Sequence, residues 1–546
     1  MNKYIVVLIL SFLIIINYKT DACTNFLVGK KASVDGSTIV SYNADSYTLY
    51  GELYHYPAKK YTIGQKLRVN DWDTGKYLGD IDQAKETYNV IGNMNENQVT
   101  ITETTFGGRE ELADTTASMD YGSLIYIALQ RSKTAREAIS VMTSLVAKYG
   151  YYSEGESFSI ADPNEIWIME MIGKGTKEKG AVWVAVRIPD DCIAAHANQS
   201  RIQQFPLNDS NNCLYSKDVI SFAREKGYFR GKDSEFSFAK AYNPIDFGGK
   251  RFCEARVWSF FRTYNHDMEK YFSYAKGESD EPMPLYIKPD RKLSVRDVQA
   301  SMRDHFEGTG LDWSNDVGAG PDKSPYRWAP LEWEVDSVMY CNERPVSTQQ
   351  TGFTLVAQMR SFLPNTVGGV LWFGVDDAGQ SVYTPMYACM TKTPECYRVG
   401  NGNLYEFSWT SAFWIHNWVA NMVYNRYDLM HPDLKKLQDS LETNFFNKQA
   451  GIETQALAYL KTSKAKAIDY LTNYSVQTAQ TAFDDWKKLG EFLLIKYMDG
   501  IVRKEKNGVF ERNPYGGPSS PQRVGYSKDF YQRVAKETGD KYKVKN

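Results

Sequence analysis

The segment Cys23-Thr-Asn-Phe-Leu-Val-Gly-Lys-Lys-Ala-Ser-Val-Asp-Gly-Ser-Thr-Ile-Val-Ser-Tyr-Asn-Ala-Asp45 contains two strand-like runs separated by a turn. Phe26-Leu-Val28 and Thr38-Ile-Val-Ser-Tyr42 consist mainly of apolar and β-branched residues, and Asp35-Gly36-Ser37 between them is a strong turn signal. The pattern predicts that this part of the chain opens the fold with a β-hairpin. A cysteine stands just before the first strand.

The residues before Cys23 have the layout of a secretory signal peptide. Lys3 gives a basic start, residues 5–16 are almost all apolar, and the small residues Thr20 and Ala22 occupy positions −3 and −1 before Cys23. The apolar run is shorter than the roughly 20 residues that cross a bilayer as a helix. We therefore expect residues 1–22 to be removed, leaving an exported chain with no transmembrane segment that begins at Cys23.

After the hairpin, strand-like and helix-like patterns occur in groups. Thr134-Ala-Arg-Glu137 has the spacing of a capping box, so a helix is predicted to begin there. The other predicted elements are strands within residues 88–91, 98–103, 158–161, 166–170, 181–188, 192–197, 369–375 and 381–387, a helix over 124–130, and a helical pattern over about 434–504. Hairpins separated by helix pairs predict an α+β fold.

The same pattern predicts two parts of the mature chain. Residues 23–420 are expected to form the main domain, and residues 421–546 a helical C-terminal segment packed on it.

Composition narrows the range of functions. The chain has 546 residues and a formal net charge of −2, so it offers no electrostatic basis for binding nucleic acid. No zinc, calcium, Walker A or G-x-S-x-G motif is present, and no cofactor or metal is expected. Its seven cysteines are an odd number, so at least one thiol stays free, and spacing alone does not pair the other six.

Cys23 would gain a second chemical group if the signal peptide were cleaved after Ala22. A free α-amino group has a pKa of about 7.7–8.0, which suits a general base near neutral pH. It could take the proton of the thiol, so that nucleophile and base belong to one residue. The alternative interpretation is that Cys23 has only a structural role or carries a lipid.

The segment from Cys23 to Asp45 resembles the start of the secreted dipeptidase family of N-terminal nucleophile (Ntn) cysteine hydrolases, which is related to penicillin V acylase and conjugated bile salt hydrolase. Further segments that resemble this family lie at residues 133–138, 156–167, 186–191, 196–202 and 303–309. The resemblance implies a four-layer αββα sandwich and hydrolysis of the peptide bond of dipeptides.

This resemblance implies four site residues, each assigned from its own position in the sequence. Cys23 matches the nucleophile, and Asp45 matches the carboxylate that holds its α-amino group. Asn198, in His-Ala-Asn, resembles a side chain that binds the tetrahedral oxyanion, and Arg256, in Glu-Ala-Arg-Val, resembles an arginine that borders the nucleophile. Arg256 is also the best candidate in the sequence for binding a substrate carboxylate.

Two positions depart from the pattern of the family. Tyr42 stands where the relatives have an arginine, and the second oxyanion asparagine of the acylases falls near Thr104 or Thr105.

Asn198-Gln-Ser200 is formally an acceptor for N-glycosylation, and a glycan there would obstruct the site. Bacterial export, to the periplasm or the medium, therefore fits better than a eukaryotic secretory route.

Three functions stay open at the level of sequence. The first is an exported cysteine-type dipeptidase whose partners are dipeptide substrates, and the second is an acylase of the penicillin V or bile-salt type on the same scaffold. The third is a lipid-anchored envelope binding protein, in which an acylated Cys23 could not act as a base; Thr20 at position −3 argues against it. The oligomeric state, including a homo-oligomer, is left open.

Overall fold

A computed structural model describes residues 23–544. The predicted signal peptide, residues 1–22, lies outside the described residues. Within them, no helix combines the length and the apolar character needed to cross a membrane. No disulfide joins any two of the seven cysteines, all of which belong to the described part of the chain.

The strands run in chain order as follows: β1 (Asn25–Val28), β2 (Thr38–Asp45), β3 (His55–Tyr56), β4 (Lys59–Lys60), β5 (Lys66–Asn70), β6 (Tyr77–Asp82), β7 (Glu86–Thr87), β8 (Val90–Ile91), β9 (Met94–Asn95), β10 (Thr100–Gly107), β11 (Gly155–Ala161), β12 (Ile166–Gly173), β13 (Ala181–Ile188), β14 (Ile193–His196), β15 (Cys213–Tyr215), β16 (Tyr286–Ile287), β17 (Glu332–Val335), β18 (Val338–Cys341), β19 (Thr351–Met359), β20 (Val370–Val375), β21 (Thr384–Tyr387), β22 (Glu505–Lys506) and β23 (Val509–Phe510).

The α-helices, likewise in chain order, are α1 (Tyr121–Arg131), α2 (Ala135–Tyr149), α3 (Val219–Glu225), α4 (Phe238–Tyr242), α5 (Ala255–Tyr264), α6 (Phe272–Ala275), α7 (Val295–Ser301), α8 (Asn365–Gly368), α9 (Ala412–Asn425), α10 (Tyr427–Leu460), α11 (Lys464–Tyr497) and α12 (Lys528–Thr538). Helices and antiparallel sheets occur together, so the α+β class is confirmed.

Two large antiparallel sheets organise the chain. One has seven strands in the order β16-β14-β1-β2-β19-β20-β21, and the other has eight in the order β15-β13-β12-β11-β10-β9-β8-β3. The predicted opening hairpin is confirmed, because β1 and β2 pair antiparallel with Leu27 opposite Val40. Its two strands are central in the seven-stranded sheet, where β14 and β19 cover their outer edges.

The eight-stranded sheet is buried on both faces, and β12 shows how. Alternate residues of a strand point to opposite faces. Ile166, Ile168 and Ile172 join the core shared with the seven-stranded sheet, whereas Trp167 and Met169 pack with α1 and α2 in a second core. Two covered faces explain why β12 is apolar almost throughout instead of alternating with polar residues.

Helix α2 begins where the sequence predicts it. The Thr134 hydroxyl accepts a hydrogen bond from the Glu137 amide at 3.2 Å, which satisfies one of the free amides of the first turn. The Glu137 carboxylate accepts from the amide of Lys133 at 2.7 Å, one residue before the position expected in a capping box. Gly150, with a φ of +79°, ends the helix.

The C-terminal part of the chain is helical over a different range from the predicted one. Helices α9, α10 and α11 pack together from Ala412 to Tyr497, and α11 lies against β21 of the seven-stranded sheet. After α11 the chain forms a short hairpin, β22-β23, and the exposed helix α12. The division between a domain over residues 23–420 and a segment over 421–546 stays a prediction.

Candidate active site

Cys23 lies at the start of β1, where the two large sheets approach each other. Thr24 and Asn43 exchange backbone hydrogen bonds of 3.1 and 3.0 Å, which fix the chain next to β2. The half-buried thiol lies 3.6 Å from the hydroxyl oxygen of Tyr42 and 3.6 Å from Oε1 of Glu103 on β10. The thiol therefore lies next to two ionisable oxygen groups, the phenol of Tyr42 and the carboxyl of Glu103.

This environment raises the pKa of the Cys23 thiol well above its usual value. Burial is the largest cause, and the charges of Glu103 and Asp45 act in the same direction. A backbone hydrogen bond from Asp45 and the hydroxyl of Tyr42 act in the opposite direction. The thiol is thus protonated at rest, and it needs a proton acceptor before it can act as a nucleophile.

Arg256 connects the chain segment at Cys23 to the loop that follows β14. Its Nη1 donates to the Cys23 carbonyl at 2.6 Å and to the Thr24 hydroxyl at 2.7 Å. Its Nη2 donates to the Ala197 carbonyl at 3.3 Å and to Oδ1 of Asn198 at 3.0 Å. The side chain is fully buried, so these contacts favour a positioning role over direct binding of a substrate carboxylate.

The local structure at the start of α5 places the Arg256 side chain next to Cys23 and Asn198. A π-helical turn, Gly249–Glu254, leads directly into α5, and Nε of Arg256 donates to the Phe252 carbonyl at 2.8 Å. Burial is the main reason that the pKa of Arg256 is lowered to about 10, and the nearby charge of Arg344 adds to this. The guanidinium is still charged near neutral pH.

Asn198 occupies the loop after β14 in a left-handed backbone conformation, with a φ of +59°. Asparagine tolerates this region better than most residues. Its Nδ2 donates to the Thr105 carbonyl at 2.7 Å, while its Oδ1 accepts from Arg256. Asn198, Arg256 and the Cys23 backbone are therefore linked by hydrogen bonds, as expected for residues of one site.

Thr104 and Thr105, the positions nearest to the second oxyanion residue of the acylases, have other partners. The Thr104 hydroxyl pairs with Nδ1 of His196 at 2.7 Å, and the Thr105 hydroxyl donates to Glu156 at 2.7 Å. Burial, followed by the charge of Arg201, lowers the pKa of His196 to about 3, so His196 is neutral. A second oxyanion donor is not assigned to either threonine.

Asp45 is buried at the end of β2, paired with an arginine that sequence reasoning missed. Nη2 of Arg344 lies 2.7 Å from Oδ2 of Asp45, and the Thr351 hydroxyl donates to Oδ1 at 2.6 Å. Burial raises the pKa of Asp45, and the charge of Arg344 partly offsets this rise. Arg344 is 299 positions along the chain from Asp45, and no local pattern marks it.

Glu103 is a second residue that sequence reasoning missed. The Tyr42 hydroxyl donates to Oε1 of Glu103 in a short hydrogen bond. Burial raises the pKa of Glu103 to about 7, although the hydrogen bonds from Tyr42 and Glu156 favour its charged form. Its signal in the sequence is an acidic residue that continues the two-residue period of Val99 and Ile101.

An open cleft lies beside Arg344, the ion-pair partner of Asp45. Arg344, which pairs with Asp45, and Tyr47 form part of its wall, together with the aromatic rings of Trp313, Tyr326 and Trp328. An apolar wall with a few polar groups is common in small-molecule sites. In residues 23–544, no group of three or more His, Cys, Asp or Glu side chains is placed to hold a metal ion.

Comparison with known proteins defines the class of this chain as a peptidase. The family model that matches is "Peptidase family C69", over residues 22–69 and 49–440. These matches cover well over half of the sequence. The chain therefore belongs to peptidase family C69.

Several similar proteins are named as dipeptidases. A probable dipeptidase of Latilactobacillus sakei is 27% identical over 458 residues, covering 80% of this chain and 89% of that protein. A probable dipeptidase of Salmonella dublin is 27% identical, with coverage of 68% and 82%. Dipeptidase A of Lactobacillus helveticus is 24% identical, with coverage of 74% and 82%.

Proposed function

We propose that this peptidase is an exported dipeptidase in which Cys23 is the nucleophile. The observation that carries the proposal is the link from the Cys23 carbonyl through Arg256 to Asn198, which joins three of the four residues named from the sequence. The fourth, Asp45, influences the pKa of the thiol and donates to it from the backbone. The names of the similar proteins support dipeptides as the substrate class.

The proposed reaction proceeds through a thioester. The α-amino group of Cys23, made free by removal of residues 1–22, takes the thiol proton and passes it to the departing amine. The sulphur attacks the peptide carbonyl, and the amide of Asn198 donates to the oxyanion that forms. Asp45 orients the α-amino group, and water then hydrolyses the thioester.

We also propose the finer architecture and the location that the family resemblance implies. Helices α1 and α2 on the eight-stranded sheet, and α9 and α11 next to the seven-stranded sheet, support a four-layer αββα sandwich. The layout of residues 1–22 supports export to the periplasm or the medium of a bacterium.

Substrate binding is assigned to the cleft beside Arg344. Its wall carries the cationic Arg344 and the anionic Glu343, and a dipeptide presents one carboxylate and one ammonium group. Arg344 also pairs with Asp45, but unlike Arg256 it lines the cleft, so we assign to it the carboxylate recognition that the sequence suggested for Arg256.

The proposal is tested by comparing dipeptide hydrolysis by Cys23→Ala, Cys23→Ser and the control variant Cys192→Ala. Cys192 is a buried thiol that contacts the carboxylate of Asp191, so its replacement removes a cysteine without touching the site. Cys23→Ala should be inactive, Cys23→Ser should keep a trace, and Cys192→Ala should keep wild-type kcat/KM.

Substrate choice separates the dipeptidase from the acylase. Free dipeptides should be cleaved much faster than N-acetylated or C-amidated ones, penicillin V or glycine-conjugated bile acids. Equal turnover of the blocked substrates or of the acylase substrates would overturn the dipeptidase assignment. Activity in Cys23→Ala would place the nucleophile elsewhere.

A further inference from the structure

The thiol of Cys23 is in contact with a carboxylate that the proposed reaction does not use. Oε1 of Glu103 lies 3.6 Å from the sulphur and also accepts the hydrogen bond from the Tyr42 hydroxyl. Glu103 is only 2% exposed, so bulk solvent is not its proton source. The thiol and the phenol thus donate to the same carboxylate oxygen.

A second carboxyl group completes the cluster. Oε2 of Glu103 and Oε2 of Glu156 accept no hydrogen bond from other groups in residues 23–544. The two carboxyls hydrogen-bond to each other, and burial together with the charge of Glu103 raises the pKa of Glu156 well above its usual value. Glu103, whose pKa is raised less, is therefore the member of the pair that ionises first as the pH rises.

The surroundings of Glu103 are neutral or anionic. The titratable groups that face it are Cys23, Tyr42, Asp73, Tyr121, Tyr126, Tyr151 and Glu156. In such a site, moving a proton from the thiol to the carboxylate leaves the net charge unchanged. Releasing the proton to solvent would instead add a negative charge to a buried cluster, which is far less favourable.

We propose that Glu103 is a second proton acceptor for Cys23, which acts when the α-amino group is already protonated. The inference rests on the proposed role of Cys23 as the nucleophile. Tyr42 is then a positioning residue, because its hydroxyl fixes the oxygen that receives the proton.

The proton-transfer step balances within the site. The S–H bond of Cys23 breaks and an O–H bond forms at Oε1 of Glu103, so the negative charge moves to sulphur. The thiolate forms a C–S bond with the carbonyl carbon, and the carbonyl electron pair moves to oxygen. As the C–N bond breaks, the proton leaves Glu103 for the departing amine nitrogen, and the carboxylate is restored.

The test is the pH dependence of kcat/KM on a free dipeptide for wild type, Glu103→Gln and Tyr42→Phe. Below the pKa of the α-amino group, about 7.7–8.0, Glu103 should carry the reaction. Glu103→Gln should therefore lose about 10²-fold at about pH 6.5 and much less at about pH 9. Tyr42→Phe removes a hydrogen bond that stabilises the charged form of Glu103, so the pKa of Glu103 should rise. The acid limb of the profile, where kcat/KM falls as the pH is lowered, should therefore move to higher pH.

Glu170→Gln serves as the matched control, because Glu170 is also fully buried and burial raises its pKa to about 7 as well. This variant should keep the wild-type midpoint of the acid limb.

Two results would overturn the inference. These are a Glu103→Gln enzyme with the wild-type pH profile or a Tyr42→Phe enzyme with an unmoved acid limb. If Glu103→Gln does not fold, the shift in Tyr42→Phe decides. Failure of the proposed function looks different, since Cys23→Ala would then stay active.

Discussion

Asn198 combines an unusual backbone conformation with a side chain that is linked through Arg256 to the backbone of Cys23. Its φ of +59° is one that few residues with a side chain adopt readily, and its amide is held by Thr105 and Arg256. Such fixing is what an oxyanion donor requires, because the donor must be in place before charge develops.

Replacing Asn198 should lower kcat more than it raises KM. Loss of one oxyanion donor typically lowers kcat by about 10²–10³. Asn198→Ala and Asn198→Gly should both show this loss in steady-state kinetics on a dipeptide. Glycine adopts positive φ without strain, so a Gly variant with wild-type kcat would show that the Ala variant fails through its backbone and that the side chain is not the donor.

The α-amino group of Cys23 can be removed without changing any side chain. A chain that keeps Ala22 has an amide nitrogen at Cys23 instead of an amine. Loss of a general base commonly lowers the rate by about 10²–10⁴, so this extended chain should hydrolyse dipeptides that much more slowly than a chain beginning at Cys23. Equal kcat/KM for the two chains, each verified by intact mass, would exclude the amine from the reaction.

At the level of residues, local motifs predict some positions and miss others for a physical reason. Arg256 was found through its resemblance to a family segment, and the structure places its guanidinium against Cys23 and Asn198. Arg344 and Glu103 escaped because their roles arise only when distant segments meet: Arg344 pairs with Asp45, and Glu103 contacts Cys23. A motif within a short window of sequence cannot reveal a contact between segments that are far apart in the chain.

Among the elements, helix α2 offers a clean test of a predicted boundary. The Thr134 hydroxyl caps the helix, and removing such a cap costs about 1 kcal/mol, within a range of about 0.5–2. Thr134→Ala should therefore lower the free energy of unfolding in a denaturant titration, while Thr134→Ser should retain it. Both variants should keep wild-type kcat/KM. A Thr134→Ala protein as stable as wild type would contradict the cap.

The elements that sequence predicts well are those with a short and complete local signal. The opening hairpin has two β-branched runs and a turn, and α2 has a cap, an apolar stripe and a terminal glycine. The long helices are less well predicted: the structure has α10 and α11 as separate helices, and α9 precedes them. The buried face of α10 includes the polar residues Gln438, Glu442 and Glu453, which interrupt the apolar pattern of the helix.

For the molecule as a whole, buried carboxyl groups give a defined pH dependence of stability. Burial raises the pKa of Glu103 and of Glu170 to about 7, against about 4.3 in an unfolded chain. The folded state therefore holds protons that the unfolded state releases. The stability from these groups is complete below about pH 4.3 and is lost as the pH rises through about 7.

We therefore expect the titration of these groups to lower the melting temperature as the pH rises from about 5 to about 7.5. Glu170→Gln removes one of the responsible groups, and it also leaves the amides of Arg201 and Ile202 without a carboxylate acceptor. The variant should be less stable overall and should show a smaller change in Tm over this interval than wild type. If the Tm of Glu170→Gln changes as much over this pH interval as the Tm of wild type, Glu170 does not titrate in this range.

Strand order is the part of the molecule that the sequence does not reveal. β1 lies between β2, its neighbour in the chain, and β14, which is more than 160 residues away, and β2 pairs on its other side with β19. These long-range pairings carry Arg344 to Asp45 and Asn198 to Cys23. The hairpin that opens the chain could be predicted, whereas its position in the middle of a sheet could not.

The most direct measurement of the central proposal is the mass of the acyl-enzyme. Mature protein purified from its host is mixed with a dipeptide, quenched rapidly in acid, digested and mapped by mass. We predict an N-terminal peptide that begins at Cys23 with a free amine and carries the N-terminal residue of the substrate as a thioester, removable by hydroxylamine. An acyl group on another residue, a diacylglycerol on Cys23, or an active chain that begins elsewhere would contradict it.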